Sequence, residues 1–96
     1  MVVQKTRMLQ GNYPNPFNPT TTIAYQLTKS QPVNITVYNA KGQKVRNLLN
    51  SVITAGNHTV VWNGMDDHGK SVSSGIYYYR LSTADHSEVR KAILMK

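Results

Sequence analysis

Apolar and polar residues alternate along most of this chain, and turn-forming residues break the alternation at intervals of about 8–12 residues. In the clearest segment, residues 76–82, Tyr77, Tyr79 and Leu81 share one face. Since the side chains of a strand point alternately to its two faces, each such segment predicts a strand with one buried face. No window sustains the period of about 3.6 residues that marks an amphipathic helix. The sequence therefore predicts an all-β fold, either a sandwich or a barrel.

Six segments show the alternation clearly, and a seventh strand is expected before Tyr13. The predicted strands cover residues 21–27, 33–38, 43–49, 58–63, 76–82 and 89–95. The side chains expected to face inward are Ile23, Tyr25, Leu27, Val33, Ile35, Val37, Val45, one of Leu48 and Leu49, Val60, Trp62, Tyr77, Tyr79 and Leu81. Residues 39–42 predict a type I turn in which Gly42 takes the left-handed conformation. Together these elements predict an antiparallel sandwich of about seven strands.

Three prolines interrupt residues 13–19, shortly before the strand predicted to begin at Thr21. Proline has no N–H to donate to a sheet, so this segment is expected to be an irregular extended run. Its aromatic residues, Tyr13 and Phe17, are expected to fold back as a lid over one end of the core. Strand edges that nothing covers pair with other chains, and self-association through sheet edges is therefore an expected interaction.

The chain carries eleven Lys and Arg against four Asp and Glu, a net charge of +7. Such a balance attracts polyanions, including anionic lipopolysaccharide. The basic residues are scattered, however, without a run of five or six and without a nucleic-acid-binding motif. We therefore expect a solvated basic surface and no nucleic-acid partner. No apolar stretch reaches the roughly 18 residues of a membrane-spanning helix, so no transmembrane segment is expected.

Cofactor and metal sites have little support in this sequence. The chain has no cysteine, and its three histidines lack zinc-ligand spacing. The nearest candidate metal ligands are the adjacent carboxylates of Asp66 and Asp67, which could join backbone carbonyls around a hard cation. Aspartates in a glycine-flanked loop more often form turns through hydrogen bonds between side chain and backbone. We therefore expect no cofactor and no bound metal.

Catalytic chemistry has still less support. The four carboxylates are Asp66, Asp67, Asp85 and Glu88, and nothing in their spacing indicates a paired hydrolytic site. No serine lies in a nucleophile-elbow sequence, and the glycines stand singly at turns rather than in a phosphate-binding loop. The chain is therefore expected not to be an enzyme.

Four aromatic residues, Trp62 and Tyr77 to Tyr79, allow two interpretations. Together they could form a stacking platform for sugars or bases. Because alternate residues of a strand share a face, Tyr77 and Tyr79 more naturally enter the core beside Trp62. Core packing is the favoured interpretation, and it leaves Tyr78 as the exposed member.

A proline-rich block and a set of later motifs resemble a known family. Residues 12–21 read Asn-Tyr-Pro-Asn-Pro-Phe-Asn-Pro-Thr-Thr, and residues 90–96 read Arg-Lys-Ala-Ile-Leu-Met-Lys. The residues that carry the motifs are Pro14, Asn15, Pro16, Phe17, Asn18, Pro19, Gly42, Trp62, Gly64, Gly75 and Tyr77. Over roughly residues 9–96 the sequence resembles the type A C-terminal sorting domain of the type IX secretion system. That family overlaps with the Ig-like domain of the flagellar hook-capping protein.

The resemblance implies an Ig-like, fibronectin-III-like sandwich of about seven strands. Residues 11–96 are then one sorting domain, and residues 1–10 are a lead-in from a missing upstream region or a first strand. Such domains end larger secreted proteins, so the expected location is secreted or on the cell surface, reached through the outer membrane. The implied partners are an outer-membrane translocon, a sortase-like peptidase and a cargo domain upstream in the same natural chain. The residues implied in recognition are Arg90, Lys91, Ile93, Met95 and Lys96.

Two other functions stay open from the sequence. An Ig-like module of this kind also serves as a structural or adhesive unit that is retained in a surface protein or assembly. Alternatively, the domain is a carbohydrate-binding accessory module of a secreted hydrolase, with Tyr78 as its sugar platform. In each case residues 89–95 are expected to form the last strand of a sheet.

Overall fold

Seven strands and their connections make up residues 8–96, the part of the chain that this computed structural model describes. The strands are β1 Leu9–Tyr13, β2 Thr21–Leu27, β3 Gln31–Asn39, β4 Lys44–Ile53, β5 Gly56–Trp62, β6 Gly75–Ser82 and β7 Ser87–Leu94. These described residues form no helix, and hence none that is long and apolar enough to cross a membrane. The all-β prediction is confirmed, including the strand expected before Tyr13. Residues 1–7 of the expected lead-in lie outside the described residues, whereas Leu9 and Gln10 belong to β1.

The strands pair antiparallel in two sheets. One sheet has the order β1-β2-β5, and the other has the order β4-β3-β6-β7. Strand β2 pairs with β5 in one continuous register, from Thr21 opposite Trp62 to Leu27 opposite Gly56. The chain passes from one sheet to the other several times. Each sheet has one apolar face, as the alternation predicts, and these two faces pack against each other.

The core lies between the two sheets and is built largely from the side chains predicted to face inward. Its buried apolar side chains are Leu9, Phe17, Ile23, Tyr25, Leu27, Val33, Ile35, Val37, Trp62, Tyr77, Tyr79, Leu81, Ala92 and Leu94. The ring of Trp62 packs against Phe17 at 5.4 Å between centroids and edge-on against Tyr77 at 5.2 Å. Aromatic pairs in such geometries add about 0.5–1.5 kcal/mol each to the stability that burial supplies. Core packing of Trp62, Tyr77 and Tyr79 is confirmed, and Tyr78 is exposed.

Strand β4 differs from its prediction in length and in the direction of its side chains. It spans ten residues and ends at Ile53. Its register against β3 shifts at two points along the pairing. Each shift places an extra residue in β4 and changes the direction of the local side chains. As a result, Leu48 and Leu49 are both half-buried against the core, so the expectation that only one faces inward is wrong.

The proline run is irregular, as predicted, but only one of its two aromatic residues covers the core. Phe17 is 2% exposed, whereas Tyr13 is 82% exposed. Tyr13 pairs with Thr22 at the end of β1. Because Thr22 lies on the opposite face of β2 from the buried Thr21 and Ile23, its partner Tyr13 points to solvent as well. The lid consists of Phe17 alone, and the expectation for Tyr13 is wrong.

The turn between β3 and β4 has the predicted form. Gly42 has a φ of +84°, and its N–H donates to the carbonyl of Asn39 at 2.9 Å. The side-chain Oδ1 of Asn39 accepts hydrogen bonds from the N–H groups of Lys41 and Gln43, both at 3.0 Å. A left-handed residue closes such a short hairpin, and glycine adopts that conformation without steric cost.

Candidate functional site

The outer edge of β7 is covered by residues 15–17 of the proline run, which we call the edge cover. The Asn15 side-chain Oδ1 accepts a hydrogen bond from the N–H of Ile93 at 3.0 Å. The N–H of Phe17 donates to the carbonyl of Ile93, and the N–H of Met95 donates to the carbonyl of Phe17, both at 2.9 Å. An edge strand lacks hydrogen-bond partners for its outer backbone groups. The proline-rich block supplies such partners to β7 without forming a regular strand.

A chain of side-chain hydrogen bonds holds the start of the edge cover in place. The Tyr79 hydroxyl donates to Oδ1 of Asn12 at 3.1 Å, and Nδ2 of Asn12 donates to Oγ1 of Thr21 at 3.0 Å. The Thr21 hydroxyl in turn donates to the carbonyl of Pro14 at 2.8 Å. Burial raises the pKa of Tyr79 to about 12, so its hydroxyl keeps the proton that it donates. The chain links β6, β1 and β2 to the residue before the edge cover.

Gly64 lets the end of the proline run lie close to the segment after β5. Its φ is +75°, and a Cβ built there would lie 2.9 Å from the carbonyl oxygen of Pro19. That distance is too short for a side chain without a shift of the backbone. Beside it, the indole N–H of Trp62 donates to the carbonyl of Met65 at 2.9 Å. Pro19, Gly64 and Trp62, which the sequence marks as separate motifs, therefore meet in one place.

The remaining motif residues have identifiable positions. Gly75 begins β6 opposite Leu94, and the buried Tyr77 donates its hydroxyl to the carbonyl of Ser73 at 2.6 Å. Gly42 lies in the turn between β3 and β4. Within the proline-rich block, the exposed residues are Pro14, Asn15, Pro16, Asn18 and Pro19.

The first half of β7 is tied to the start of β1 by Glu88. Its carboxylate accepts hydrogen bonds from the N–H groups of Met8 at 2.8 Å and Leu9 at 2.9 Å. Nε2 of His86 lies 2.7 Å from the same carboxylate. Partial burial alone raises the pKa of Glu88, but the hydrogen bonds from Met8, His86 and Leu9 outweigh it and hold the pKa below its ordinary value. No sequence pattern indicated this role, since Glu88 is a single carboxylate in a predicted turn-to-strand segment.

Three of the predicted recognition residues lie along the end of the last strand. Lys91 and Ile93 of β7 are on the outer face of the four-stranded sheet, opposite in direction to the buried Ala92 and Leu94, and Met95 follows directly after the strand. Lys91 and Met95 are exposed, and Ile93 is half-buried.

The two other predicted recognition residues lie apart from that face. Arg90 pairs with Tyr79 on the inward side of β7 and is half-buried. Lys96 follows the strand, and its backbone N–H donates to Oγ of Ser74 at 3.0 Å. The structure therefore does not place all five residues together.

Strand β6 adds two apolar side chains to this surface. Ile76 is paired with Ile93, and Tyr78 is paired with Lys91. We call the surface formed by Ile76, Tyr78, Lys91, Ile93 and Met95 the β6–β7 face. Sequence reasoning missed the part from β6, although the alternation in that strand already indicated that Ile76 and Tyr78 point outward.

The loop that holds the candidate metal ligands is braced by hydrogen bonds to its own backbone and to β4. Oδ1 of Asp66 accepts from the N–H groups of His68 at 2.9 Å and Lys70 at 3.0 Å. The hydrogen bond from Lys70 is the largest of the effects that lower the pKa of Asp66. These bonds form the turn that the sequence favours at this position.

Asp67 acts on the edge of β4. Its Oδ1 accepts from the N–H of Asn47 at 3.0 Å, and its own N–H donates to the carbonyl of Val45 at 3.0 Å. Oδ2 of Asp67 lies 3.7 Å from Nζ of Lys44. Within residues 8–96 no three histidine or acidic side chains converge as metal ligands would. The loop covers part of the β4 edge, as the edge cover does for β7.

These features define an antiparallel β-sandwich in which loops cover the β7 edge and part of the β4 edge, and in which the last strand presents an apolar and basic face. The chain matches the sequence model of the FlgD Ig-like domain over residues 11–87, and it belongs to that family. The fold is accordingly Ig-like, as the resemblance implied. Comparison with curated protein sequences gave no match.

Solved structures of two kinds share this fold. FlgD from P. aeruginosa has a TM-score of 0.61 and 25% identity, with 77% of this chain and 57% of that chain covered. FlgD from Xanthomonas campestris, whose structure is described as giving insights into the hook capping essential for flagellar assembly, has a TM-score of 0.64 at 20% identity, covering 90% of this chain and 63% of that chain.

The second kind comes from Porphyromonas gingivalis. Latent PorU has a TM-score of 0.73 and 17% identity, with 92% of this chain and 9% of that chain covered. PorZ, described as a surface component of the type IX secretion system, has a TM-score of 0.60 and 22% identity, covering 88% and 11%. The chain thus spans about a tenth of these two proteins, and the likeness to them shows the fold.

Proposed function

We propose that this Ig-like domain is a non-catalytic C-terminal sorting domain, which directs a larger exported protein through the outer membrane to the cell surface. The observation that carries the proposal is the contact between the edge cover and β7. The proline-rich block and the terminal strand are the two segments that most resemble type IX sorting domains. In the folded domain they are one feature, because the block supplies the hydrogen-bond partners of Ile93 and Met95.

The β6–β7 face is the surface that we assign to recognition. It combines the exposed side chains of Lys91 and Met95 with the half-buried Ile93 and two outward residues of β6. A translocon that reads a folded domain needs a surface of fixed shape, and apolar side chains beside a cation provide both contact area and orientation. The cargo is upstream in the same natural chain, and a sortase-like peptidase acts on it after export.

The absence of catalysis is part of the proposal. Each of three carboxylates accepts hydrogen bonds from backbone N–H groups. Glu88 accepts two at the start of β1, Asp66 accepts from its own loop, and Asp67 accepts from the edge of β4. A carboxylate engaged in this way is a structural acceptor rather than a general base directed at a substrate. These contacts support a domain whose acidic residues serve its fold.

A second candidate function has specific support from the family. The match to FlgD, a protein of flagellar hook capping, favours an Ig-like structural module that stays in an assembly. The two functions make different demands on the β6–β7 face. A sorting domain requires the side chains of the β6–β7 face for export. A structural module that serves as a spacer requires only that the sandwich be folded.

Point variants on the β6–β7 face test the proposal better than removal of the last residues. Ala92 and Leu94 are core residues, so deletion of the end of β7 would unfold the sandwich. The pair Lys91→Thr and Met95→Thr keeps the strand propensity and removes the charge and the apolar tip. The matched control is Lys41→Thr with Val52→Thr, two exposed positions outside this face.

The readout is surface delivery of an exported fluorescent reporter fused to the full chain in a type IX secreting host. We expect the control pair to reach the surface and the β6–β7 pair to stay in the periplasm, with both variants folded by circular dichroism. Equal surface delivery of the two pairs would contradict the assignment of this face and favour the spacer function.

A further inference from the structure

The outer face of the four-stranded sheet carries a row of four side chains, one from each strand. Lys44 of β4 is paired with Tyr38 of β3, Tyr38 is paired with Tyr78 of β6, and Tyr78 is paired with Lys91 of β7. We call these four residues the tyrosine row. Neighbouring strands lie about 4.8 Å apart, so the row spans roughly 14 Å with a cation at each end.

The two tyrosines of the row differ from Tyr77 and Tyr79, the inward tyrosines of β6, in their hydroxyl groups. Tyr77 and Tyr79 point inward, and each donates its hydroxyl to a carbonyl or amide oxygen at 2.6 Å and 3.1 Å, respectively. Within residues 8–96, the hydroxyls of Tyr38 and Tyr78 make no such bond, and Tyr78 is 37% exposed. The outward pair therefore keeps both an aromatic surface and a hydrogen-bonding group for a ligand.

The charge around the row is mostly positive. Arg80 lies on the same face of β6 as Tyr78 and extends the cationic surface next to it. The carboxylate that contacts the row is Asp67, which lies 3.7 Å from Lys44 at the β4 margin and is also engaged with the backbone of Asn47. With a net charge of +7 for the chain, this surface is complementary to an anion.

The polar residues next to the row are already paired with one another. The Thr36 hydroxyl donates to Oδ1 of Asn34 at 2.6 Å, and the Asn47 amide donates to both at 3.1 Å and 3.0 Å. These side chains face the same side of the sheet but have bonded internally. The groups left for a ligand are the tyrosines and the cations.

We propose that the tyrosine row binds an acidic polysaccharide. The flat faces of pyranose rings pack on tyrosine side chains, and tyrosine hydroxyls donate to sugar oxygens. Ammonium groups at both ends bind carboxylates or sulfates carried by the polymer. The four side chains are carried by hydrogen-bonded strands on one preformed surface, so the protein loses little conformational entropy when an extended polymer lies across the four strands.

The spacing of the cations favours a polysaccharide over a nucleic acid. The ends of the row are about 14 Å apart, and two neutral rings lie between them. A nucleic-acid strand carries a charge about every 3.4 Å along the helix axis, so its central phosphates would face tyrosines without a partner. A polymer with charged sugars separated by neutral ones matches the arrangement of cation, ring, ring and cation.

Affinity electrophoresis of the purified full chain tests this proposal, with alginate or polygalacturonate in the gel and neutral dextran as the reference polymer. We expect retardation in the acidic gels that falls with added salt, and none in dextran. In Tyr38→Thr with Tyr78→Thr, affinity should fall about tenfold or more, because ring stacking is lost. Lys44→Gln should lower affinity and reduce the salt dependence.

The matched control is Val61→Thr with Lys29→Gln, which are exposed and outside the four-stranded sheet. The control should bind as the parent chain does, and thermal melts of all variants establish that they are folded. Equal binding by the tyrosine variant and the control would show a general charge effect and overturn the proposal. Absence of retardation in both acidic gels, or tighter binding to oligo-dT than to either polymer, would also overturn it.

Tyr38 and Lys44 separate this proposal from the sorting function. Both lie outside the β6–β7 face, on β3 and β4. Their variants should lose polysaccharide binding while an exported reporter still reaches the surface. Loss of export together with binding would mean that the row belongs to the recognition surface and has no separate ligand.

Discussion

Asn15 and Ile93, separated by 78 positions in the chain, are joined by a hydrogen bond of 3.0 Å from the Ile93 N–H to the Asn15 side chain. The bond lies at the outer edge of β7, where an unpaired strand would otherwise expose its backbone to other chains. Phe17 continues the contact with two backbone hydrogen bonds, one to Ile93 of β7 and one to Met95 directly after the strand. The proline-rich block is therefore a cover for the terminal strand and not a loop that merely precedes β2.

Replacing Asn15 tests the edge cover. In Asn15→Ala we expect the free energy of unfolding to fall by about 1 kcal/mol, because the Ile93 N–H loses its partner at a solvent-accessible site. Hydrogen exchange at the Ile93 amide should accelerate. Asn18→Ala is the control, since Asn18 is exposed and makes no side-chain hydrogen bond within residues 8–96. Unchanged protection of the Ile93 amide in Asn15→Ala would refute the cover.

Gly64 and Gly69 form a natural pair for testing the close approach of the chain to Pro19. Their φ values are +75° and +77°, but only at Gly64 would a Cβ meet an atom within 4 Å. Both alanine variants should lose about 1 kcal/mol through the left-handed backbone, and Gly64→Ala should lose about 1–2 kcal/mol more. Urea unfolding measures the difference, and equal losses would mean that the approach to Pro19 carries no strain.

Phe17 and Tyr13 should differ sharply in their contribution to stability. Phe17→Ala removes a buried ring that packs on Trp62, and we expect a loss of about 3–5 kcal/mol. Tyr13→Ala removes an exposed ring and should change stability by less than about 0.5 kcal/mol. Thermal or urea unfolding compares the two, and a large loss in Tyr13→Ala would reinstate it as part of the lid.

Glu88 makes stability depend on pH in the acid range. Its pKa is lower in the folded domain than the ordinary value of 4.5, so the unfolded chain binds more protons as the pH falls through that range. The stability from Glu88 is therefore fully present above the ordinary pKa and is lost as the pH falls through the lowered one. Urea unfolding between neutral and acid pH should show a smaller loss of stability in Glu88→Gln than in the parent chain. Asp66, whose pKa is also lowered, supplies the dependence that remains. A pH profile identical to the parent's would exclude Glu88 as a source of the acid sensitivity.

The sequence was sufficient for features that depend on neighbouring residues. Strand β2 was predicted with both ends correct, since its inward positions, including Ile23 and Leu27, are all buried and a turn residue or proline bounds it. The Gly42 turn was predicted as well, because it is formed by the four adjacent residues 39–42. The bulges that bury both Leu48 and Leu49 depend on how β4 pairs with β3, which local alternation does not encode.

The candidate site shows the same division more strongly. The candidate recognition residues were named from the family resemblance, and local alternation along β7 accounts for the outward direction of Lys91 and Ile93. Two other contacts have no local sequence pattern, because they join segments far apart in the chain. They are the hydrogen bond from the Ile93 N–H to Asn15 and the hydrogen bonds that Glu88 accepts at the start of β1. These contacts depend on the topology, which brings the first and last strands of the sandwich side by side.

The dependence of surface delivery on the type IX secretion system tests the proposed sorting function most directly. A reporter fused to the full chain would be expressed with the same signal peptide in a type IX secreting host and in an isogenic host that lacks the translocon. We expect the reporter to reach the surface of the first host and to remain in the periplasm of the second. The same distribution in both hosts would contradict it, and would leave the domain as an Ig-like structural module.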